Sequence, residues 1–171
     1  MTKITAQDYQ RVKKWLYSIR ATELAIFNLQ QAIMDLGVKL ENPPSYIVTG
    51  LGNYDLFSGG SGGEVSSKGE NFSSWQEETF SRREFLTDQL AFKQRKVVQF
   101  YETLEEMRRE KWGRQAAELV EKKYYSRIKP DKAIYTMFLF IGDGQFYRLN
   151  RLALKYFYEV LPDVFLTPNK K

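Results

Sequence analysis

The sequence predicts an all-α protein: two long helices forming an arm or hairpin, followed by a C-terminal helix-turn-helix domain. Three observations carry this expectation. Residues 6 to 36 hold no proline or glycine, and their apolar residues recur at steps of three, four and seven. A second periodic run fills residues 74 to 110. Residues 112 to 171 then divide into shorter helical stretches separated by turns marked with glycine and proline.

The N-terminal long helix is expected within residues 1–38. Val12, Leu16, Ile19, Ile26, Leu29, Ile33 and Leu36 form its stripe, and Trp15, Leu24 and Phe27 widen it. Gly37 fits a C-terminal stop. Such a helix would be roughly 45 Å long at 1.5 Å per residue. It cannot bury its stripe against itself, so a partner helix is needed, from this chain or from a second copy.

Residues 39–73 read as a flexible Pro/Gly-rich linker. Pro43 and Pro44 stop the helix, and Gly59-Gly60-Ser61-Gly62-Gly63 has linker composition. A phosphate-cradling loop is excluded there, because no Gly-Lys-Ser/Thr follows and no strand pattern flanks the glycines. Tyr46-Ile47-Val48 is a short apolar patch able to dock on a helix. The second long helix is expected over residues 74–111, with Ser74 as cap and Glu77 in capping-box register. Phe85, Leu86, Leu90, Phe92, Val97, Phe100, Leu104 and Met107 supply its apolar side. Glu102, Glu105, Glu106 and Glu110 read as a solvated face, since no histidine accompanies them.

In the C-terminal domain, residues 112–171, Gly113 interrupts the pattern and a helix is expected from Arg114 to Tyr125. Ile128 to Asp131 makes a turn, and Asp131 is the expected cap of a helix from Lys132 to Phe140. After Ile141-Gly142-Asp143, Asp143 is the expected cap of a helix from Gly144 to Leu161, closed by Pro162. Helix, short turn, helix is the outline of a DNA-reading module. Phe146, Leu149, Ala153 and Phe157 share one face of the last helix, while Arg148, Arg151 and Lys155 form a cationic column. In such a module Gln145 suits adenine, Arg148 and Arg151 suit guanine, and Asn150 is a further base-edge reader. Lys129, Lys132 and Lys155 suit backbone phosphates.

Charge distribution agrees with this expectation. The 171 residues carry a net charge of +5, yet residues 122 to 171 alone hold ten Lys and Arg against four Asp and Glu. Phosphates reward such a local concentration. With no Cys and no His, zinc fingers, thiol chemistry and histidine-dependent catalysis are excluded. No carboxylate pair suits acid–base work, so no catalytic residue, metal or cofactor is expected. No signal segment or membrane span is visible, so a cytoplasmic protein without a membrane partner is expected.

The motifs resemble a known family. Val120-Glu121-Lys122-Lys123-Tyr124-Tyr125 precedes the turn, and Phe146-Tyr147-Arg148-Leu149 is followed by Ala153-Leu154. Together with the layout of long helix, Gly-rich break and second long helix, they are similar to phage and prophage late-gene transcriptional regulators of the ArpU and RinA type. The C-terminal part of that family resembles region 4 of sigma factors. Arg148 and Arg151 fall on the basic positions of its recognition-helix signature. Asp143 and Gly144 stand where members usually carry Ser or Thr, and Thr136 to Phe140 is bulkier than the usual segment. The resemblance implies a promoter-bound regulator of late operons, with duplex DNA and host RNA polymerase as partners and self-association through the long helices. Two other readings remain open: a DNA-packaging recognition subunit like a small terminase, and a helical adaptor that binds polymerase.

Overall fold

A computed structural model of the chain describes residues 4–43 and 65–166, and every regular element among them is helical. The long helices are α1 (Ala6–Glu41) and α2 (Val65–Arg109). Next come α3 (Gly113–Val120), which widens into a π turn over Glu121–Tyr125, and α4 (Asp131–Ala133), which widens over Ile134–Phe138. The chain then forms α5 (Asp143–Val160) and the single turn α6 (Asp163–Leu166). The expected all-α class is therefore observed among the described residues.

Helix α1 opens on a reciprocal cap. The Asp8 amide donates to the Thr5 hydroxyl at 3.2 Å, and the Thr5 amide donates to the Asp8 carboxylate at 3.0 Å. The expected stop at Gly37 is corrected, because the helix runs through it to Glu41. One glycine costs a helix only about 1 kcal/mol. Here the bare backbone also faces the Arg83 guanidinium, 3.9 Å from where a Cβ would stand. Pro43 marks the actual end, since the residue before a proline leaves the helical region.

Helix α2 begins at Val65, so residues 39–41 and 65–73, expected as linker, are helical, and Ser74 is an interior residue, not a cap. No proline lies between Val65 and Arg109, and Phe72 meets Trp75 one turn on at 6.0 Å. The Gly59–Gly63 run, Tyr46-Ile47-Val48 and residues 167–171 lie outside the described residues.

The chain divides into two units, one built from residues 1–25 and 93–171 and the other from residues 26–92. The first unit thus holds the C-terminal helices together with the start of α1 and the end of α2. Every fully buried apolar side chain among the described residues belongs to that first unit. At its centre the Trp15 ring lies 6.3 Å from Phe100, 5.9 Å from Phe157 and 6.1 Å from Phe165. One side chain from each of α1, α2, α5 and α6 therefore meets there. Glu23 takes hydrogen bonds from Tyr101 at 2.8 Å and Tyr125 at 2.7 Å, tying α1 to α2 and to the π turn after α3.

In the second unit, Phe27, Met34 and Val38 of α1 and Phe85 of α2 are exposed. Of the stripe read from the sequence, Val12, Leu16 and Ile19 are fully buried in the first unit, while Ile26, Leu29, Ile33 and Leu36 are half-buried in the second.

Both π turns close alike. Ile128 donates to the Lys122 carbonyl and Ile141 to the Tyr135 carbonyl, each at 3.0 Å, with Arg127 and Phe140 at φ of 56° and 52°. This is the left-handed C-terminal cap, which glycine usually takes and which costs an L side chain about 1–2 kcal/mol. Asp131 and Asp143 are each the first helical residue, preceded by Pro130 and Gly142 as caps, so neither caps its helix. Instead Asp131 accepts the Lys123 ammonium at 2.7 Å and Asp143 accepts the Gly144 amide at 2.6 Å.

Tyr124 is fully buried and donates its hydroxyl to the Asn150 side-chain oxygen at 2.8 Å. Burial pushes the Tyr124 pKa up, and neighbouring Tyr17 adds to the rise. In the unfolded chain a tyrosine ionises near pH ~10, before the folded one does. This contribution to stability is thus complete below pH ~10 and falls as the pH rises beyond it. Melts at about pH 9 and about pH 11 should show the loss, and Tyr124→Phe should reduce it. An unchanged loss in Tyr124→Phe would contradict the assignment.

Candidate nucleic-acid interface

At about 100° per residue, Phe146, Leu149, Ala153 and Phe157 point one way from α5, while Gly144, Arg148, Arg151 and Lys155 point the other. The first set is buried, as the spacing predicts. Arg148 and Arg151 are exposed, and neither is ion-paired among the described residues. Lys155 is partly neutralised by Glu159 at 3.6 Å, one turn on. The free positive charge of the column is therefore strongest at Arg148 and Arg151.

The packing of α3 against α5 sets what surrounds them. The two helices are held by Ala116, Ala117, Leu119 and Val120 on one side and Phe146, Leu149 and Ala153 on the other, all buried. Small residues on α3 permit a close approach. A cleft of about 600 Å³ opens beside this seam, lined by Lys111, Arg114, Gln115, Gln145 and Arg148 among others. No carboxylate lines it. Gln145 donates to the Gln115 side chain at 3.4 Å across the cleft. The arrangement offers cations and amide groups with no acid to compete, which suits a phosphate or a base edge.

On the other flank, the Arg151 guanidinium lies 6.0 Å from the Tyr9 ring centroid. A groove of about 380 Å³ there also takes in Lys13 and Asn150.

The remaining candidates divide. Asn150 is half-buried, and its carbonyl oxygen accepts the Tyr124 hydroxyl, so it is first a structural group. Lys129 stands just before α4 and Lys132 within it, both exposed, and among the described residues no hydrogen bond or ion pair joins them to the column on α5. Lys111, Arg114 and Lys13 were not singled out by sequence reasoning. Spacing within α5 reveals its own column, but their closeness to it depends on how three elements pack. Among the described residues, no group of three or more carboxylates is placed to hold a metal ion. No described helix is long and apolar enough to cross a membrane.

No family model, curated protein or solved structure matches this chain.

Proposed function

We propose that the chain is a sequence-specific duplex-DNA-binding regulator of phage or prophage late genes, acting in the cytoplasm without catalysis. The single observation that carries this reading is the exposed pair Arg148 and Arg151 on the outer face of α5, neither of them ion-paired among the described residues. The pair is flanked by a cleft that adds Lys111 and Arg114. In this reading α3, α4 and α5 are the three helices of a sigma region 4-like module, and α5 enters the major groove. Arg148, Arg151 and Gln145 read bases, while Lys111, Arg114, Lys129, Lys132 and Lys155 hold phosphates.

A second copy of the chain covers exposed Phe27, Met34, Val38 and Phe85, of which Phe27 and Met34 stand one heptad apart. One further observation favours a protein partner beside DNA. Met137, Phe138 and Phe140 are exposed together, Phe140 at 83%. An apolar patch of this kind suits a surface on RNA polymerase.

The test is selection of bound sites from a random duplex pool, with light scattering on the same sample. An enriched motif and a dimer are expected. No enrichment would overturn the regulator reading. A closed ring of many copies would favour the packaging subunit, and a monomer would remove the second copy.

A further inference from the structure

Away from α5, the start of α1, the last third of α2 and the turn α6 border a groove of about 400 Å³. Lys96 enters it from α2. Its ammonium donates to the Ser18 hydroxyl at 2.5 Å and lies 5.9 Å from the Trp15 ring centroid. Ser18 in turn donates its own hydroxyl to the Trp15 carbonyl at 2.5 Å. An ammonium has three N–H donors, and only this one bond to a neutral group is formed among the described residues. Lys96 is half-buried, and burial pushes its pKa down, helped by Lys93.

Two more cations, Arg11 and Lys14, line the same groove, and no carboxylate lines it. Arg11 lies 3.5 Å from one Asp8 carboxylate oxygen, and the other oxygen of Asp8 is held by Thr5. The rest of the wall sets the apolar side chains of Trp15, Phe165 and Leu166 beside the neutral amides of Gln7 and Gln10. A partly desolvated cation without a counter-ion is unfavourable, and an anion that brings its own acceptors relieves it. Cations set beside aromatic and aliphatic side chains in a concave surface are the usual character of a small-molecule site.

We propose that this groove binds a small amphipathic organic anion. The charged end meets Lys96, Arg11 and Lys14, and the apolar body lies against Trp15, Phe165 and Leu166. None of these residues belongs to the column on α5, so the site is independent of the DNA reading.

The test is calorimetric titration of the full chain with three separate probes: decanoate, uncharged decanol and inorganic phosphate. Decanoate is expected to bind saturably and about tenfold or more tighter than either other probe. Lys96→Met should weaken decanoate about tenfold while melting no lower than the parent chain and leaving duplex binding unchanged. Lys14→Gln, at an exposed position, should weaken it in the same direction and serves if Lys96→Met misfolds. Three results would overturn the proposal: no saturable decanoate binding, decanoate binding unchanged in both variants, or phosphate binding as tightly as decanoate. Equal losses of DNA and decanoate in Lys96→Met would do the same, by making the groove part of the DNA surface.

Discussion

Gly113→Ala is expected to destabilise the protein by about 3 kcal/mol or more, and to lower Tm by about 6–12 °C for a chain of this size. The cause is a close approach of backbone to backbone. Gly113 is buried where α2 turns into α3, and a Cβ added there would stand 1.6 Å from the Met107 carbonyl oxygen. That oxygen belongs to the last turns of α2 and already accepts the Glu110 amide at 3.0 Å. It cannot swing aside as a flexible side chain would. Either α3 shifts away from α2 or the turn between them opens, and both disturb the seam with α5. Gly144→Ala is the control, because nothing lies within 4 Å of the added carbon. It should hold or slightly raise Tm, since alanine is the better helix former. Thermal melts of the two variants followed by circular dichroism decide the point. Equal Tm values would show that the turn at Gly113 is far looser than described.

Phe157→Ala is expected to cost about 3–5 kcal/mol, the range for removing a buried aromatic ring. Phe157 is fully buried, 5.9 Å from the Trp15 ring and 6.2 Å from the Phe100 ring. Its removal opens a cavity at the point where α1, α2 and α5 meet, and these helices cannot all close on it. Urea unfolding should show a lower midpoint with an unchanged slope. DNA affinity should fall only as far as the folded fraction falls, because Phe157 lies on the face of α5 opposite the arginines. A loss below about 1 kcal/mol would mean that the ring is not packed in this core.

How much of this was legible in the sequence depends on what each feature requires. The buried faces of α1 near Val12, Leu16 and Ile19, and of α5 at Phe146, Leu149, Ala153 and Phe157, follow from helical spacing alone. Spacing does not say where cover ends. Leu24 and Phe27 continue the α1 stripe, yet they are 64% and 58% exposed. Helix ends were the least legible. Ser74, Asp131 and Asp143 all have capping chemistry, but a cap forms only where the backbone leaves the helix, and that point is set by packing and by Pro130 or Gly142. The Thr5–Asp8 cap uses the same chemistry with aspartate in place of the usual glutamate, which the capping-box pattern does not include.

At the candidate site, the exposed column could be read from α5 by itself. The hydrogen bond that occupies Asn150 comes from Tyr124 on a different element. The contribution of Lys111 and Arg114 likewise appears only once α3 is laid against α5. Residues that act within one helix were visible, and residues that act across helices were not.

The account rests on Arg148 and Arg151 reading bases, and the ratio of two affinities tests this most directly. Fluorescence anisotropy at fixed salt would measure binding to a selected site and to random duplex, for the parent chain and for the double variant Arg148→Ala, Arg151→Ala. The parent chain should prefer its site by a factor of about 10³ or more, and the double variant should lose about a hundredfold of that preference. Equal weakening on both duplexes, with the preference intact, would contradict the account and leave the two guanidinium groups as non-specific charge.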